Sequence, residues 1–588
     1  MAVTDGDGAA AVRNRSEETP LLREDVRQGS DDGGSEETLA ETGDEEELRD
    51  PDRANQHVGR RRGLLIILSV WALIFLQASN MSGITTTQST IAEDLDAFSE
   101  ASWFTSAYLI AMSSCSPLAA RLAQTFSPRN CIFVASLLFS TGGLVTSQAP
   151  NLTVFLAGRA ISGVGGAGIM TISFILVLEL SGKKRRGLFI GLVNSGFTTG
   201  VSLGAVIAGA LVNGMGWRFL FWIQTPLAVI AGIGIFLSIP KSFTSGYKEG
   251  GEQSVATKLA KIDYLGAVTL TASLSLFLFG LSFPKIIWIP IVISAILLIA
   301  FILIELYVAA DPIIPVTVLK SRGALLSCVA QLGVMISRWM VLFYTPAYAI
   351  AVRGWSPASA GSILIPTNAG FALGGMLAGW LHIKRAGSFW LASLACFVLF
   401  GCTLALLSQI SNPDTPAALY LLSVFVNGLS MGAALNYTLA HLLHLTPPST
   451  HFMSTSLLTT FRGFAGSFGS AIGGGLFVRV LKANLEEGFE QHGGLEGRED
   501  LVRRLLGSPA LVKSLEGAER AVAVSGYVVA VKSLFVAGAG LVVIMVFVQA
   551  GTGWKAGLEK KVESEENVVG NGRGVEDEEW EEGMEQGV

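Results

Sequence analysis

The chain has 588 residues, 50% hydrophobic and 15% charged, with a mean hydropathy of +0.52. A soluble chain of this size carries about 25% charge, so the composition excludes an ordinary soluble globular protein. The net charge of −6 says little, because the charges gather in two tails and in short loops. Residues 1–58 are acidic, polar and Gly-rich, with runs such as Asp44-Glu45-Glu46-Glu47. They hold too little apolar surface to fold and are expected to be a disordered tail. No charged-then-apolar leader opens the chain, so the first span is expected to act as the targeting segment.

Within the tail, Glu17-Glu18-Thr19-Pro20-Leu21-Leu22 resembles an acidic dileucine sorting signal. Glu17, Leu21 and Leu22 either present that signal to a sorting adaptor or match it by chance in an acidic stretch. Fourteen apolar segments follow, at about 64–84, 102–122, 130–148, 152–178, 188–212, 219–239, 262–282, 286–306, 323–350, 357–381, 388–408, 416–440, 452–480 and 527–550. Each is long enough to cross a hydrocarbon layer about 30 Å thick. Backbone groups in lipid must pair internally, and the alternating pattern of a barrel is absent, so these spans are expected to be helices. The predicted fold class is therefore an all-α membrane protein of about 14 transmembrane helices.

Lys and Arg fall in alternate loops: Arg60-Arg61-Arg62 before span 1, Arg121 and Arg129 between spans 2 and 3, and Lys183-Lys184-Arg185-Arg186 between spans 4 and 5. Lys241, Lys248, Lys258 and Lys261 precede span 7, Lys320 and Arg322 precede span 9, and Lys384 and Arg385 precede span 11. The 1–2 loop instead holds Glu93, Asp94, Asp96 and Glu100. By the positive-inside rule both termini are expected in the cytoplasm. The 12–13 loop fits less well, with His441 and His444 in place of Lys or Arg. The long amphipathic 13–14 loop, about 481–526, is expected on the non-cytoplasmic face. The sequon at Asn151 lies too near the membrane to accept a glycan. The acidic end after about Lys561 is expected to be disordered.

Ionisable residues inside spans are expensive and mark function by default. Arg159 lies inside span 4 and Glu179 ends it; Arg338 lies inside span 9 and Arg462 inside span 13. Arg159 is read as functional, with a structural tie between helices as the alternative. Glu179 is either a proton-linked carboxylate or a partner of the basic 4–5 loop. Arg338 and Arg462 either meet an anionic group of a solute or pair with carbonyls. Asp263 and Glu305, at span ends, are explained by snorkelling.

Span 5 reads GAVIAGAL from Gly204 and span 13 reads GSAIGGGL from Gly469. This is a trace of an internal repeat, as if spans 1–6 and 9–14 formed two six-helix halves around an inserted pair. Gly196, Gly200, Gly204 and Ala208 recur every four positions, so they share one face. That face is either a surface on which the halves rock or a static close contact. All five cysteines fall in apolar segments with no metal-ligand spacing and read as small core residues. No Walker loop and no nucleophile setting is present. The expectation is no enzyme, no cofactor, no metal and no nucleic-acid partner, and transport driven by an ion gradient or by the solute's own gradient.

The stretch Leu156-Ala157-Gly158-Arg159-Ala160-Ile161-Ser162-Gly163-Val164-Gly165-Gly166 resembles the fourth-helix motif of the major facilitator superfamily. Ala101 to Leu109 (ASWFTSAYL) resembles the start of the second helix in fungal members. Gly216 to Pro226 (GWRFLFWIQTP) and Asp263-Tyr264-Leu265-Gly266 resemble their 5–6 junction and seventh-helix entry. The resemblance covers all fourteen spans and points to the fungal fourteen-helix drug:proton antiporter branch, which includes vacuolar basic amino acid transporters.

The resemblance implies two six-helix bundles with an inserted pair. The domains are then a tail at 1–58, bundles at 59–240 and 311–552, the linker and pair at 241–310, and a tail at 553–588. It implies a secondary transporter of small solutes in a lipid bilayer, coupled to protons. The expected cargo is basic amino acids at the vacuolar or another endomembrane. Drug efflux at the plasma membrane and a non-transporting sensor are the alternatives. It makes Arg159 the motif arginine linked to proton transfer and Glu179 the acidic end of that helix. The departures are Asn80 where an acid usually stands, Gln124 for the Asp and Ala120 for the first Gly of the 2–3 loop motif that ends at Arg129, and Gly204-Ala205 for a Gly-Pro pair. Losing those two acids removes one proton carrier and one charged latch.

Overall fold

The computed structural model describes residues 60–180, 186–239, 263–282, 286–308, 321–379, 388–447, 451–492, 494 and 496–553. The two tails, with Glu17, Leu21 and Leu22, and most of the basic loop residues lie outside that set. No strand occurs among the described residues, which hold fifteen α-helices and one 3₁₀ helix. In chain order they are α1 (Arg60–Asp94), α2 (Trp103–Thr125), α3 (Pro128–Ser147), α4 (Leu152–Leu180), α5 (Arg186–Ser238), α6 (Tyr264–Ser282), α7 (Trp288–Tyr307) and α8 (Arg322–Ala351). There follow α9 (Pro357–Gly361), α10 (Leu364–Leu377), α11 (Trp390–Ile410), α12 (Ala417–Leu445), α13 (His451–Gln491), α14 (Glu499–Gly507), a 3₁₀ turn (Pro509–Ser514) and α15 (Gly517–Ala550). Twelve helices are long and apolar enough to cross a membrane, so the chain is a multi-pass membrane protein.

Two predicted spans are joined in α5, which runs 53 residues and turns at Gly216, where φ is +78°. Only glycine takes that conformation without cost. The limb before the turn runs along α1 in the same direction, with Gly196 at Trp71, Gly200 at Phe75 and Gly204 at Ser79. The limb after it runs back, with Leu220 near Gly83 and Gly234 at Ser69. Predicted span 10 is divided instead, into α9 and α10. Its first turn is capped by Ser356, whose hydroxyl accepts from Ser359 N at 3.3 Å, with Pro357 at the first helical position. Asn151 accepts from Val154 N at 3.0 Å and caps α4. Asp263 accepts from Gly266 N at 2.8 Å and caps α6, so capping and not snorkelling places it. Glu305 is buried at 6% exposure, which corrects the snorkelling expectation for it. Of the cysteines only Cys328 is buried.

In the first half, α5 packs on α1 and α3, and α4 on α2 and α3. In the second, α8 packs on α13 and α15, α10 on α12, and α11 on α12 and α15. α6 and α7 pack on each other, and α6 also touches α2 and α13, one from each half. α7 turns Ile289, Val292, Ile296, Ile299 and Leu303 outward, a stripe that suits lipid and not water. The fold is thus two six-helix bundles with an inserted pair at their seam.

The small-residue face of α5 is a contact within one half. A Cβ on Gly200 would fall 2.6 Å from Phe75 O, and one on Gly204 would fall 2.4 Å from Ser79 Cα. The reading of Gly196, Gly200 and Gly204 as a surface on which the halves rock is corrected: α1 occupies it. The repeat partner behaves alike. Gly469 faces Ile336 and Trp339, and Gly473 faces Met340, so α13 packs on α8 as α5 packs on α1. Gly204→Val is expected to cost about 1–3 kcal/mol or more by overpacking. Gly463→Ala, which meets nothing within 4 Å, is expected to be neutral within about 0.5 kcal/mol. Detergent melting of the two variants checks the contrast.

Candidate functional site

Arg159 is fully buried in the first half. Its Nε donates to Phe104 O at 2.9 Å and its Nη1 donates to Asn80 Oδ1. Asn80 Nδ2 donates in turn to Gln224 Oε1 at 2.8 Å. The guanidinium lies 4.6 Å from the Tyr108 ring centre and 5.7 Å from that of Phe221. Four helices therefore converge on it: α1 through Asn80, α2 through Phe104 and Tyr108, α4 itself, and the second limb of α5 through Phe221 and Gln224. The glycines of the α4 motif make this approach available. A Cβ on Gly163 would stand 2.3 Å from Tyr108 O, and one on Gly166 2.5 Å from the Tyr108 hydroxyl.

Among the described residues no carboxylate pairs with Arg159. Burying a cation costs several kcal/mol even after relaxation. Charge-assisted hydrogen bonds return about 1.5–3 kcal/mol each, and desolvated aromatic contacts about 2 kcal/mol. These terms roughly offset, so the cation stands without a counter-ion. Its Nη2 is buried and has no acceptor, which leaves one arm of the fork open.

The seam between the halves is narrow and polar in places. Arg338, at 3% exposure, donates from Nη2 to Asn368 Oδ1 at 2.8 Å, and Asn368 Nδ2 donates across the seam to Ser202 Oγ at 3.0 Å. Ser106 and Ser470 hydroxyls meet at 2.9 Å. Trp339 meets Phe197 edge-on at 6.2 Å. A Cβ on Gly209 would fall 2.6 Å from Ala358 N, and one on Gly361 2.8 Å from Ala205. The residues of α5 that meet the second half thus include Phe197, Ser202, Ala205 and Gly209, none of them in the four-residue stripe read in the sequence. Arg462, on α13, is half-buried.

On the face of the α1–α2 connection, the segment after α13 closes over the seam. Asp96 takes a left-handed backbone (φ +46°), and Arg503 Nη2 donates to its carboxylate at 3.0 Å and to Asp500 at 3.1 Å. Hydrogen bonds to Asp96 first, then Asp500, raise the Arg503 pKa above its ordinary value. Gln88 donates to Gly507 O at 3.3 Å, and Ala510 N donates to Ser89 Oγ at 3.3 Å. Gly507 lies against Phe98, where a Cβ would fall 2.4 Å from its carbonyl oxygen. The 13–14 segment and the acidic 1–2 loop thus share a face, as the loop arithmetic predicts. Beneath them a cavity of about 40 Å³ is lined by residues of both halves, including Gln88, Thr105, Tyr344 and Ser470. That is far below the roughly 300–1,000 Å³ of a pocket for an organic ligand, so the two halves leave no room for one at this point.

The other predicted residues are placed as follows. Arg129 is buried, donates from Nε to Phe236 O at 2.6 Å and stacks on the Phe236 ring at 4.1 Å, tying α3 to the last turn of α5. A cation at carbonyls of a helix C-terminus is favourable there. Gln124 is in the last turn of α2 and Glu179 in that of α4, and the side chains of both lie outside the described ones. The structure brings Asn80 to Arg159, and places Arg338 on Asn368 in the other half. Sequence reading missed Tyr108, Gln224, Asn368, Ser202 and Arg503. Uncharged polar residues in spans were the available signal for Gln224 and Asn368. It also missed Asp94, which accepts from Arg218 at 2.5 Å and ties the α1 end to the α5 turn.

This arrangement defines a helical membrane carrier with two bundles meeting at a closable seam. The family comparison carries that further: residues 68–470 match the model of the Major Facilitator Superfamily. The chain belongs to that family and is a transporter of small-molecule solutes, not an enzyme. It is similar to an efflux pump, FUS6, of Gibberella fujikuroi, at 26% identity over 70% of this chain and 75% of that protein. It is similar to the multidrug resistance protein fnx1 of Schizosaccharomyces pombe, at 26% identity over 76% of this chain and 85% of that one. Among solved structures, a bacterial homologue of the human lysosomal transporter Spinster shares the fold, with a TM-score of 0.56 and 13% identity over 84% of this chain and 97% of that one.

Asn80→Ala leaves Arg159 with one fewer acceptor and Gln224 with one fewer donor, and is expected to cost about 1–3 kcal/mol, read as a lower melting temperature in detergent. Cysteines placed at Ser89 and Ala510 are expected to cross-link on oxidation in membranes, while either single cysteine stays unlinked; absence of the intramolecular link shows that the two loops do not dock.

Proposed function

We propose that the chain exports a small amphipathic organic solute from the cytoplasm by alternating access, and that its halves tilt about the seam described above. The observation that carries the reading is the docked segment Glu499–Ser514. It shuts one face across both halves by surface contacts that can part, while elsewhere the described parts of the halves meet through polar bridges such as the Ser106–Ser470 pair. A carrier needs a face that closes without being sewn shut.

Export is favoured over carriage of basic amino acids by the chemistry of the seam. A cationic solute needs a carboxylate, carbonyls or an aromatic face. Arg338 stands there, and no described carboxylate accompanies it. The similar fungal proteins named as an efflux pump and a multidrug resistance protein support the same direction.

The rest of the reading follows from this one. Both limbs of α5 and the 23-residue α2 cross the bilayer, which makes fourteen crossings and leaves both termini in the cytoplasm. The halves are 59–240 and 311–552, the inserted pair lies in 241–310, and the tails are 1–58 and 553–588. Arg159 holds four helices of one half together as it moves, and Arg129 ties α3 to α5. Proton coupling, if present, runs through Glu179, since Asn80 and Gln124 cannot carry a proton as acids. Export into a vacuole and export from the cell share one topological direction, and an adaptor reading Glu17, Leu21 and Leu22 selects between them.

The purified chain in vesicles tests this. Arg159→Ala with the fold intact is expected to lower the movement of an amphipathic dye at least tenfold. Movement of labelled arginine in place of the dye restores the vacuolar amino acid reading. Movement of no solute, with or without a pH gradient, leaves a sensor.

A further inference from the structure

The cavity of about 40 Å³ beneath the docked segment is walled by both halves and roofed by Leu506 and Pro509. Its two walls differ in chemistry. The first half contributes chiefly Thr85, Gln88, Ser102 and Thr105, neutral groups that both donate and accept hydrogen bonds. The second contributes chiefly the rings of Phe343, Tyr344 and Phe477, with Tyr344 and Phe477 at 4.8 Å. Among the described residues the Thr105 and Tyr344 hydroxyls have no hydrogen-bond partner, and none of those that line the cavity is charged. A Cβ on Gly474 would stand 2.9 Å from the Tyr344 oxygen and 3.4 Å from Ser102 Cβ, so that glycine keeps one corner open. Rings continue from the cavity toward the middle of α8: Phe343 stacks on Trp339 at 5.2 Å, and Trp339 meets Phe197 of the first half at 6.2 Å. Trp339, Phe343 and Ala347 recur every four positions, so one stripe of α8 carries both the ring track and part of the cavity wall.

We infer that this cavity is the outer end of a solute site that takes a flat, uncharged aromatic molecule bearing hydroxyl or carbonyl oxygens. That is the solute class of the exporter proposed above, and it rests on that reading. The rings of α8 and α13 offer stacking to a flat body. The hydroxyls and the Gln88 amide across from them donate to its oxygens or accept from its hydroxyls. A carboxylate would leave water for a wall with no cation, and an ammonium for one with no carboxylate; rings attract a cation, but by less than its loss of water costs. As the cavity stands it admits only water-sized groups. The solute therefore binds the arrangement in which the halves and the docked segment have parted there, and its binding draws the population toward that arrangement.

Binding, not transport, is the test. The full chain in neutral phosphatidylcholine nanodiscs is dialysed to equilibrium at about pH 6 against 2,7-dihydroxynaphthalene, whose phenols are uncharged there. Parallel samples meet the saturated decahydronaphthalene-2,7-diol, anionic 2-naphthoate and cationic 2-naphthylmethylamine, and uptake by empty nanodiscs is subtracted. The flat diol is expected to bind at least tenfold more tightly than each of the other three. Thr105→Val, which keeps the side-chain shape, and Tyr344→Leu are each expected to weaken its binding at least fivefold in chains that melt like the parent; Thr105→Val decides alone where Tyr344→Leu does not fold. Binding of none of the probes, equal binding of all four, tighter binding of a charged one, or a diol affinity unchanged in Thr105→Val overturns the site. Dye movement in vesicles is scored separately. A dye that moves while the diol shows no preference leaves an exporter that lacks this site, and a diol preference in a chain that moves nothing keeps the site and ends the export reading.

Discussion

The contact between α1 and the two limbs of α5 is what the rest of the first half depends on. Gly196, Gly200 and Gly204 remove the side chains that would hold the first limb away from α1, and Gly216 turns the second limb back along it. Only then does Gln224 reach Asn80. Only with Asn80 so held does Arg159 find its acceptor without a carboxylate. In lipid, where apolar surface gives helices no reason to prefer each other over the bilayer, close backbone approach and buried hydrogen bonds must supply the association. The first half uses both; in the second, Gly469 lets α13 approach α8, and Ser337 of α8 donates to Gly538 O of α15.

Polarity is distributed differently at the seam. Within each half, buried polar side chains tie helices together, as Asn80 joins Gln224 to Arg159 and Asn427 donates to Thr403. Among the described residues the bridges between the halves include a serine pair, Ser202 with Asn368 and with Leu364 O, and the docked α14 segment with its Arg503–Asp96 pair. Of these only the Arg503–Asp96 pair is exposed, and exposed pairs contribute little and can be remade in water. A closure built from them opens at small cost, whereas a closure built like the α1–α5 contact would not. This difference in bonding is the physical basis for a body that moves as two pieces.

The absence of described counter-ions gives the two halves their separate chemistry. Arg159 is enclosed by rings and neutral acceptors and is sealed from the seam. Arg338 reaches it through Asn368 and Ser202. Had an acid stood at position 80, Arg159 would have had an ion-pair partner. With Asn80 the cluster is a neutral hydrogen-bond chain ending in a cation, and the charges available to a solute lie in the other half.

Much of the fold was legible in the residues alone. Apolar length marks helices because lipid offers backbone groups no partner. The alternation of basic and acidic loops put the 13–14 segment on the face of Asp96, where α14 docks. The glycine pattern of span 4 announced close packing, and the match between spans 5 and 13 announced two halves. What tertiary structure alone decided was which neighbour each face meets. A four-residue repeat specifies that Gly196, Gly200 and Gly204 share a side, not that α1 covers it while Ala205 and Gly209 meet the second half. Nor does spacing reveal that Arg338 meets Asn368, or that Asn368 reaches Ser202 of the first half. Periodicity is a property of one helix, whereas partner choice depends on shape and hydrogen bonds contributed by segments far away in the chain.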